Sequence, residues 1–252
     1  MVAQLIPLFT ERALIVQTAQ ERCLVAGDLH LGLERELRRQ GVHGVSESEA
    51  LVEQLQQIAS RERVDRIILL GDVKHSIGAH RWEEAALAPL TSVEPAVEVV
   101  PGNHDGMLAD LVPVTVHDAR GIVVDDVGLA HGHTWPAADV VANGRLVLCH
   151  NHPHVALVDE LGSVQSEPCW LRATFAPSVR ERYPDLPLPG ELVIVPAFNP
   201  LLGGVAMNRP GEKVLGPLLA NRMVELADAH AFTLDGLDLG RIARLEEPLR
   251  GL

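Results

Sequence analysis

The chain of 252 residues has no apolar run of the ~18 residues that a membrane-spanning helix needs. Its start, Met1 to Glu11, lacks the basic region and long apolar core of a secretion signal, so a cytoplasmic protein is expected. Cysteine is scarce. Cys23, Cys149 and Cys169 are odd in number, widely spaced and form no C-x-x-C pair, which fits reduced thiols rather than a disulfide framework. Cys23 and Cys149 fall in predicted strands, where a free thiol packs as a small apolar group. Lysine is almost absent: Lys74 and Lys213 are the only two, and the formal net charge is −13. Such a balance argues against a broad electrostatic grip on duplex DNA, which needs many phosphate contacts. There is no internal repeat and no low-complexity tract.

What is present is a series of five polar clusters, each at the end of an apolar run. They are Asp28-Leu29-His30, Gly71-Asp72-Val73-Lys74-His75, Gly102-Asn103-His104-Asp105, His131-Gly132-His133 and His150-Asn151-His152. The runs Leu24–Ala26, Ile67–Leu70, Val97–Val100, Gly128–Ala130 and Leu146–Leu148 read as buried strands. Ligands in open α/β sheets bind just beyond the carboxyl ends of the strands. All five clusters are therefore expected on one rim of one sheet. Together they offer enough carboxylate, imidazole and amide groups for two metal ions.

Between the clusters, the pattern predicts strands at Ala13–Val16 and Cys23–Ala26 and a helix over Glu47–Arg61, with Ser46 and Glu49 as a capping box. With the strand Arg66–Leu70 this gives a parallel strand–helix–strand crossover. A short helix is expected from Trp82 to Leu90, and hairpins around Asp125-Asp126 and Asp235-Gly236. Val155–Val158 and Leu192–Val195 read as further strands. Pro177–Gly190 reads as a surface excursion, rich in proline and charge. The whole chain, 1–252, is expected to be one domain, with the metal motifs in 23–153 and C-terminal strands with the excursion in 154–252.

The ordered clusters resemble the calcineurin-like metallophosphoesterases, whose pattern is D-x-H, G-D-x-x-D/H, G-N-H-D/E, an H-G step and G-H-x-H. Four clusters match in order. The fifth matches with Cys149 in place of the glycine, and His75 stands where many relatives have aspartate. Val195-Pro196-Ala197-Phe198-Asn199 and Gly203-Gly204 are similar to the tail of an archaeal branch described as SbcD-related phosphoesterases, and a bacterial branch tied to DNA ligase and helicase operons has a similar tail. The resemblance implies an α/β fold: a β-sandwich with flanking helices, of αββα type.

It also implies the roles of the site residues. Asp28, His30, Asp72 and His152 would hold a first ion, and Asp72, Asn103, His131 and His150 a second, with Asp72 bridging. The alternate spacing of Asp28 and His30 would put both side chains on one side of an extended strand end. His104 would protonate the leaving group or stabilise the transition state, and Asp105 would orient its imidazole. Oxygen and nitrogen ligands favour manganese, with iron or zinc as alternatives. His75, His133 and His154 are as readily supporting residues as participants. His43, His80, His117 and His230 read as ordinary hydrogen-bonded histidines, and Trp82, Trp135 and Trp170 as packing. If the Cys149 position needs a left-handed backbone, the thiol side chain carries a cost of about a kcal/mol.

The expected activity is hydrolysis of a phosphodiester, with single-stranded nucleic acid as a candidate substrate and no membrane partner. His75 favours this reading, because the nuclease branch of the family often has histidine there. Bound divalent ions would also reverse the acidic field at the site itself. A phosphomonoesterase or a nucleotide or cyclic-nucleotide hydrolase is the alternative enzyme. A catalytically silent scaffold of the same fold would have lost ligands, and none is lost here. A nucleic-acid-binding module without cleavage fits the acidic balance poorly.

Overall fold

The computed structural model describes residues 2–42, 47–78, 81–159, 161–209 and 211–245. Six strands make the first sheet, in sequence order: β1 (Gln4–Leu8), β2 (Ala13–Gln17), β3 (Arg22–Ala26), β4 (Arg66–Leu70), β5 (Val97–Val100) and β6 (Thr115–Val116). β1 to β3 are antiparallel neighbours, while β3 to β6 run parallel. The parallel pairs are bridged by helices α1 (Leu33–Arg39), α2 (Glu47–Glu62), α3 (Arg81–Leu87) and α4 (Leu108–Leu111). β4 and β5 are buried for nearly their whole length, which is why they read as continuous apolar runs.

The second sheet has seven strands. β7 (Ile122–Val124), β8 (Val127–Ala130) and β9 (Arg145–Leu148) form one side of it. A small third sheet follows from β10 (Pro153–Val158) and β11 (Val164–Pro168), later joined by β14 (Val205–Ala206). The second sheet is completed by β12 (Trp170–Ala173), β13 (Glu191–Ile194), β15 (His230–Phe232) and β16 (Asp238–Arg241), in the order β16-β15-β12-β13-β9-β8-β7.

Side chains alternate along each strand and so divide the core into three layers. Val25, Leu70, Leu14 and Val16 of the first sheet meet Leu129, Val147, Val193 and Cys149 between the sheets. Leu24, Ile67 and Leu69 face outward onto Leu51, Leu55 and Ile58 of α2. Leu146, Leu148 and Ile194 face outward onto Val140 and Val141 of α5 (Ala138–Val141) and Leu218 and Leu219 of α6 (Pro217–Ala220). Each fully buried aliphatic side chain contributes about 1.5–3 kcal/mol. The result is the expected αββα sandwich.

Four local expectations change. The five clusters follow strands of two stacked sheets, not one, because β8 and β9 belong to the second. The helix after Trp82 ends at Leu87 and passes into a 3-10 turn over Ala88–Ser92 that contains Pro89. The proline-rich excursion is anchored, since Val179, Tyr183 and Leu186 are buried in the outer core and the Tyr183 hydroxyl donates to the Pro136 carbonyl. Val155–Val158 lies in the third sheet rather than the sandwich. The tryptophans pack as expected: Trp170 is buried edge-on against Phe9, Trp82 lies under Arg35, and Trp135 lies under Arg182. His117 pairs with Glu98 and His230 with Asp238. Ser46, His43 and His80 lie outside the described residues, so the capping box and these two histidines do too.

Candidate metal centre

The carboxyl ends of β3, β4, β5, β8 and β9 lie on a common edge of the sandwich, because these strands run parallel within each sheet. Two of the loops that leave them have no room for larger residues. A Cβ on Gly71, whose φ is +71°, would stand 2.5 Å from the His131 ring, and one on Gly102 would stand 2.2 Å from Asp72 Oδ1. These glycines let the second and third motifs close on the ligands. Asp28 and His30 are not on an extended strand end. Their φ values are 57° and 46°, and Asp72, His150 and His152 are also left-handed, at 49°, 71° and 41°. Five of the seven expected ligands thus occupy a sparsely populated backbone region, which is stored strain of the kind that gathers at functional sites.

Asp28, His30 and His152 offer ligand atoms within 4.8 Å of one another, and so do Asp72, His131 and His150. Asp72 joins the two groups. Its Oδ2 lies 3.6 Å from His30 Nε2 and 3.4 Å from His131 Nε2, while its Oδ1 accepts the His104 amide at 2.9 Å. Asp28 behaves in the same way: Oδ2 accepts the His150 amide at 3.0 Å, and Oδ1 faces His152 Nε2 at 3.3 Å. Asp28 Oδ1, His30 Nε2 and His131 Nε2 are buried without a hydrogen-bond partner. Such groups cost free energy unless something binds them. These orphaned atoms, all oxygen or imidazole nitrogen and all converging, fit two divalent cations.

The second nitrogen of three of the imidazoles, His30, His131 and His152, is tied back. His131 Nδ1 donates to the Leu70 carbonyl at 2.8 Å, and His152 Nδ1 to the Gly203 carbonyl at 3.0 Å. This fixes the tautomer and leaves Nε2 as the free lone pair. His30 Nδ1 meets His75 Nδ1 at 3.3 Å, and His75 Nε2 meets Glu36 Oε2 at 2.8 Å, a chain from an exposed carboxylate to a ligand. Burial holds the His30 and His150 imidazoles down to about 4. Burial opposes charge on His131 as well, but the nearby Asp72 and Asp28 carboxylates lift it to about 9. Burial would raise both carboxyls, and the imidazoles outweigh it: His152 and His131 lower Asp28, and His131 lowers Asp72.

The remaining candidates separate. Asn103 precedes His104 in the bend after β5, is exposed, and its side chain has no hydrogen bond among the described residues. His104 Nδ1 bonds to the His75 carbonyl at 2.5 Å, and the ring also forms a ligand-spaced group with His30 and Asp72. Asp105 does not orient His104. It is 4% exposed, and its oxygens accept the amides of Val73, Lys74 and Gly102, so the carboxylate ties the second motif to the third. His133 lies 5.2 Å from the His131 ring with a buried Nδ1 that lacks a partner, and His154 stands further out, bonded to Ser166. Cys149 is absent from the left-handed positions, so no backbone cost arises; its Sγ fills the space beside Gly27, 2.5 Å from where a Cβ there would be.

Sequence reasoning missed Glu36 and Asn199. Asn199 is 1% exposed, donates from Nδ2 to the Leu29 carbonyl, and with Phe198 clamps the Gly27–Leu29 loop. A polar residue directly after a buried strand and an aromatic was the available signal. A cleft of about 520 Å³, lined by Leu5, Phe9, Trp170 and Phe232, holds none of the candidate residues.

No curated protein sequence matches the chain. The crystal structure of Pseudomonas putida nuclease MPE superposes with a TM-score of 0.55 over 94% of this chain and 100% of that one, at 18% identity. The E. coli phosphoesterase Yfce aligns with a TM-score of 0.41 over 87% of this chain and 97% of its own, at 16% identity. The sequence profile of calcineurin-like phosphoesterases matches residues 21–226, a span longer than the five motifs. With the profile over most of its length and the His/Asp groups in place, the chain belongs to the calcineurin-like phosphoesterases and is a metal-dependent phosphoesterase.

Proposed function

We propose that the protein hydrolyses phosphodiester bonds at a two-metal centre, with single-stranded nucleic acid among its substrates. The observation that carries the reading is the shared carboxylate: Asp72 Oδ2 stands between His30 Nε2 and His131 Nε2. Asp28, His30, Asp72 and His152 would hold one ion, and Asp72, Asn103, His131 and His150 the other, with manganese the preferred metal and iron or zinc the alternatives. Bound divalent ions supply a nucleophile near neutral pH and neutralise charge on the phosphoryl oxygens. His104 has Nδ1 engaged by the His75 carbonyl, so Nε2 is the atom that carries a proton to the leaving oxygen. His75 in the second motif favours a diester, as the family resemblance implies, and the same fold serves a nuclease.

The test is to load the metal-stripped protein with manganese and compare bis-p-nitrophenyl phosphate with p-nitrophenyl phosphate. A higher kcat/KM on the diester supports the reading. A clear preference for the monoester makes the protein a phosphomonoesterase instead, and no turnover of either sinks the enzymatic assignment of these residues.

A further inference from the structure

Several arginines lack a carboxylate partner among the described residues, and Arg63, Arg180, Arg182 and Arg222 among them are exposed, whereas Arg12 is half-buried. Arg22, Arg61, Arg66, Arg120, Arg145, Arg172 and Arg241 all pair with carboxylates, while half-buried Arg12 has no carboxylate partner among the described residues. Its one side-chain hydrogen bond goes from Nη1 to the Ala197 carbonyl at 3.4 Å, which leaves the other guanidinium donors free. Burial lowers its pKa, and no anion compensates. Partial burial of an unpaired cation is unfavourable unless something external satisfies it.

Its place in the fold says what that something is. Strand β2 pairs with β3 in the register Leu14↔Val25, Ile15↔Leu24. Continuing that register outward sets Arg12 beside Gly27, the residue before the ligand Asp28. The Ala197 carbonyl that it contacts belongs to the segment whose next amide, Phe198, donates to the Gly27 carbonyl. His154 lies near Arg12. His154 in turn packs against Gly204, whose neighbour Gly203 holds His152. Arg12 therefore stands on the metal rim, on the side of the Asp28–His30–His152 group. It is a cation with free donors kept next to a site that itself collects cations, an arrangement that an anionic ligand reaching beyond the metals would stabilise.

We propose that Arg12 forms a subsite for the phosphate adjoining the scissile one in a single-stranded oligonucleotide. The inference rests on the phosphodiester reading above and sharpens it, because a substrate with one phosphate would not engage the subsite. Arginine suits the role through its planar fork of donors, which a lysine does not reproduce.

The experiment measures binding of a fluorescent hexathymidylate with phosphorothioate linkages, which keep the charge and resist cleavage, to the manganese-loaded protein across a salt series. Arg12→Gln is expected to weaken binding about tenfold, and to make the slope of log K against log salt shallower by about 0.7, one phosphate contact on a single strand. Arg12→Lys keeps the slope and recovers part of the affinity, which separates loss of charge from a folding defect. Failure of the wild type to bind, an unchanged affinity, or weakened binding with an unchanged slope overturns the subsite. Turnover of bis-p-nitrophenyl phosphate by the wild type is read separately: its absence sinks the phosphodiester reading, while the binding data still decide the role of Arg12.

Discussion

The two sheets bring different chemistry to the rim. The first contributes both carboxylates, Asp28 and Asp72, with His30 and His104. The second contributes imidazole only, from His131, His150 and His152. Each of the two proposed ion sites draws on both: Asp28 and His30 need His152, and Asp72 needs His131 and His150. Hydrogen bonds cross the same boundary, from the His150 amide to Asp28 and from His131 to the Leu70 carbonyl. The layer of Val25, Leu70, Leu129 and Val147 between the sheets thus sets the spacing of the ligands. Neither of the two proposed ion sites is complete within one sheet, so both depend on tertiary stacking.

The largest break in this scheme is expected from Asp72→Asn, which removes the group common to both ion sites. kcat/KM should fall at least ~10³-fold, since metal charge stabilisation is worth several kcal/mol. Metal analysis should show fewer than two ions retained, and two tightly held ions with near-normal turnover would remove Asp72 from its bridging place.

His104→Ala touches the first sheet's contribution alone. Metal content should be preserved, while cleavage of esters with poor leaving groups slows by about 10²-fold, within the range for general acids. Nitrophenyl esters should suffer less because their leaving group needs little protonation. Loss of an ion on metal analysis would instead make His104 a ligand, as its spacing to His30 and Asp72 allows.

Chelation tests whether the ions hold the sheets together. Ligand at about 100 times its Kd stabilises a fold by about 2.7 kcal/mol, or a Tm shift of about 5–10 °C at this size. The effect has a pH signature. Without metal, His131 is raised to about 9, so its contribution to stability is full below the ordinary histidine value and is lost as pH rises through 9. His30 and His150, lowered to about 4, contribute above the ordinary value and lose their contribution as pH falls through 4. The gap in Tm between loaded and stripped protein should therefore widen from pH 6.5 to pH 9. Equal melting curves with and without chelator would show that the sandwich is indifferent to the centre.

The smallest effect is expected from Glu36→Gln, at the far end of the Glu36–His75–His30 chain. Glu36 is exposed and its carboxyl is lowered by the His75 contact. The substitution should weaken metal affinity at the His30 side by a few-fold, less than the 10–100-fold typical of supporting residues in a protected site. Competition with a chromogenic chelator measures it, and an unchanged affinity would cut His75 and Glu36 out of the site.

The candidate ligands were legible because each closes an apolar run, and a strand end is a place where such a run meets polar groups. The division between two sheets was not legible. β4 and β9 look alike as sequence, and only pairing partners distinguish them. The third sheet was half hidden for the opposite reason: Val164-Gln165-Ser166-Glu167-Pro168 is mostly exposed and carries no apolar alternation. The role of Asp105 was misjudged because its sequence neighbour His104 suggested a partner, whereas the backbone turns the carboxylate toward the amides of Val73, Lys74 and Gly102. Glu36 and Arg12 reach the site from surface segments with no motif of their own.

The left-handed backbone at Asp28, His30, Asp72, His150 and His152 also bears on how this chain could change over time. Each such residue costs about 1–2 kcal/mol relative to a relaxed conformation, less for aspartate than for histidine. Glycine would relieve that cost at every one of these positions and abolish the ligand in the same step. At Asp28 and Asp72 that relief is offset by the lost bonds to the His150 and His104 amides, whereas the His150 ring makes no hydrogen bond among the described residues, so a lineage released from the need for metal would gain most by losing that candidate ligand. The same trade-off warns an engineer that relaxing the backbone at His150 would silence the site it stabilises.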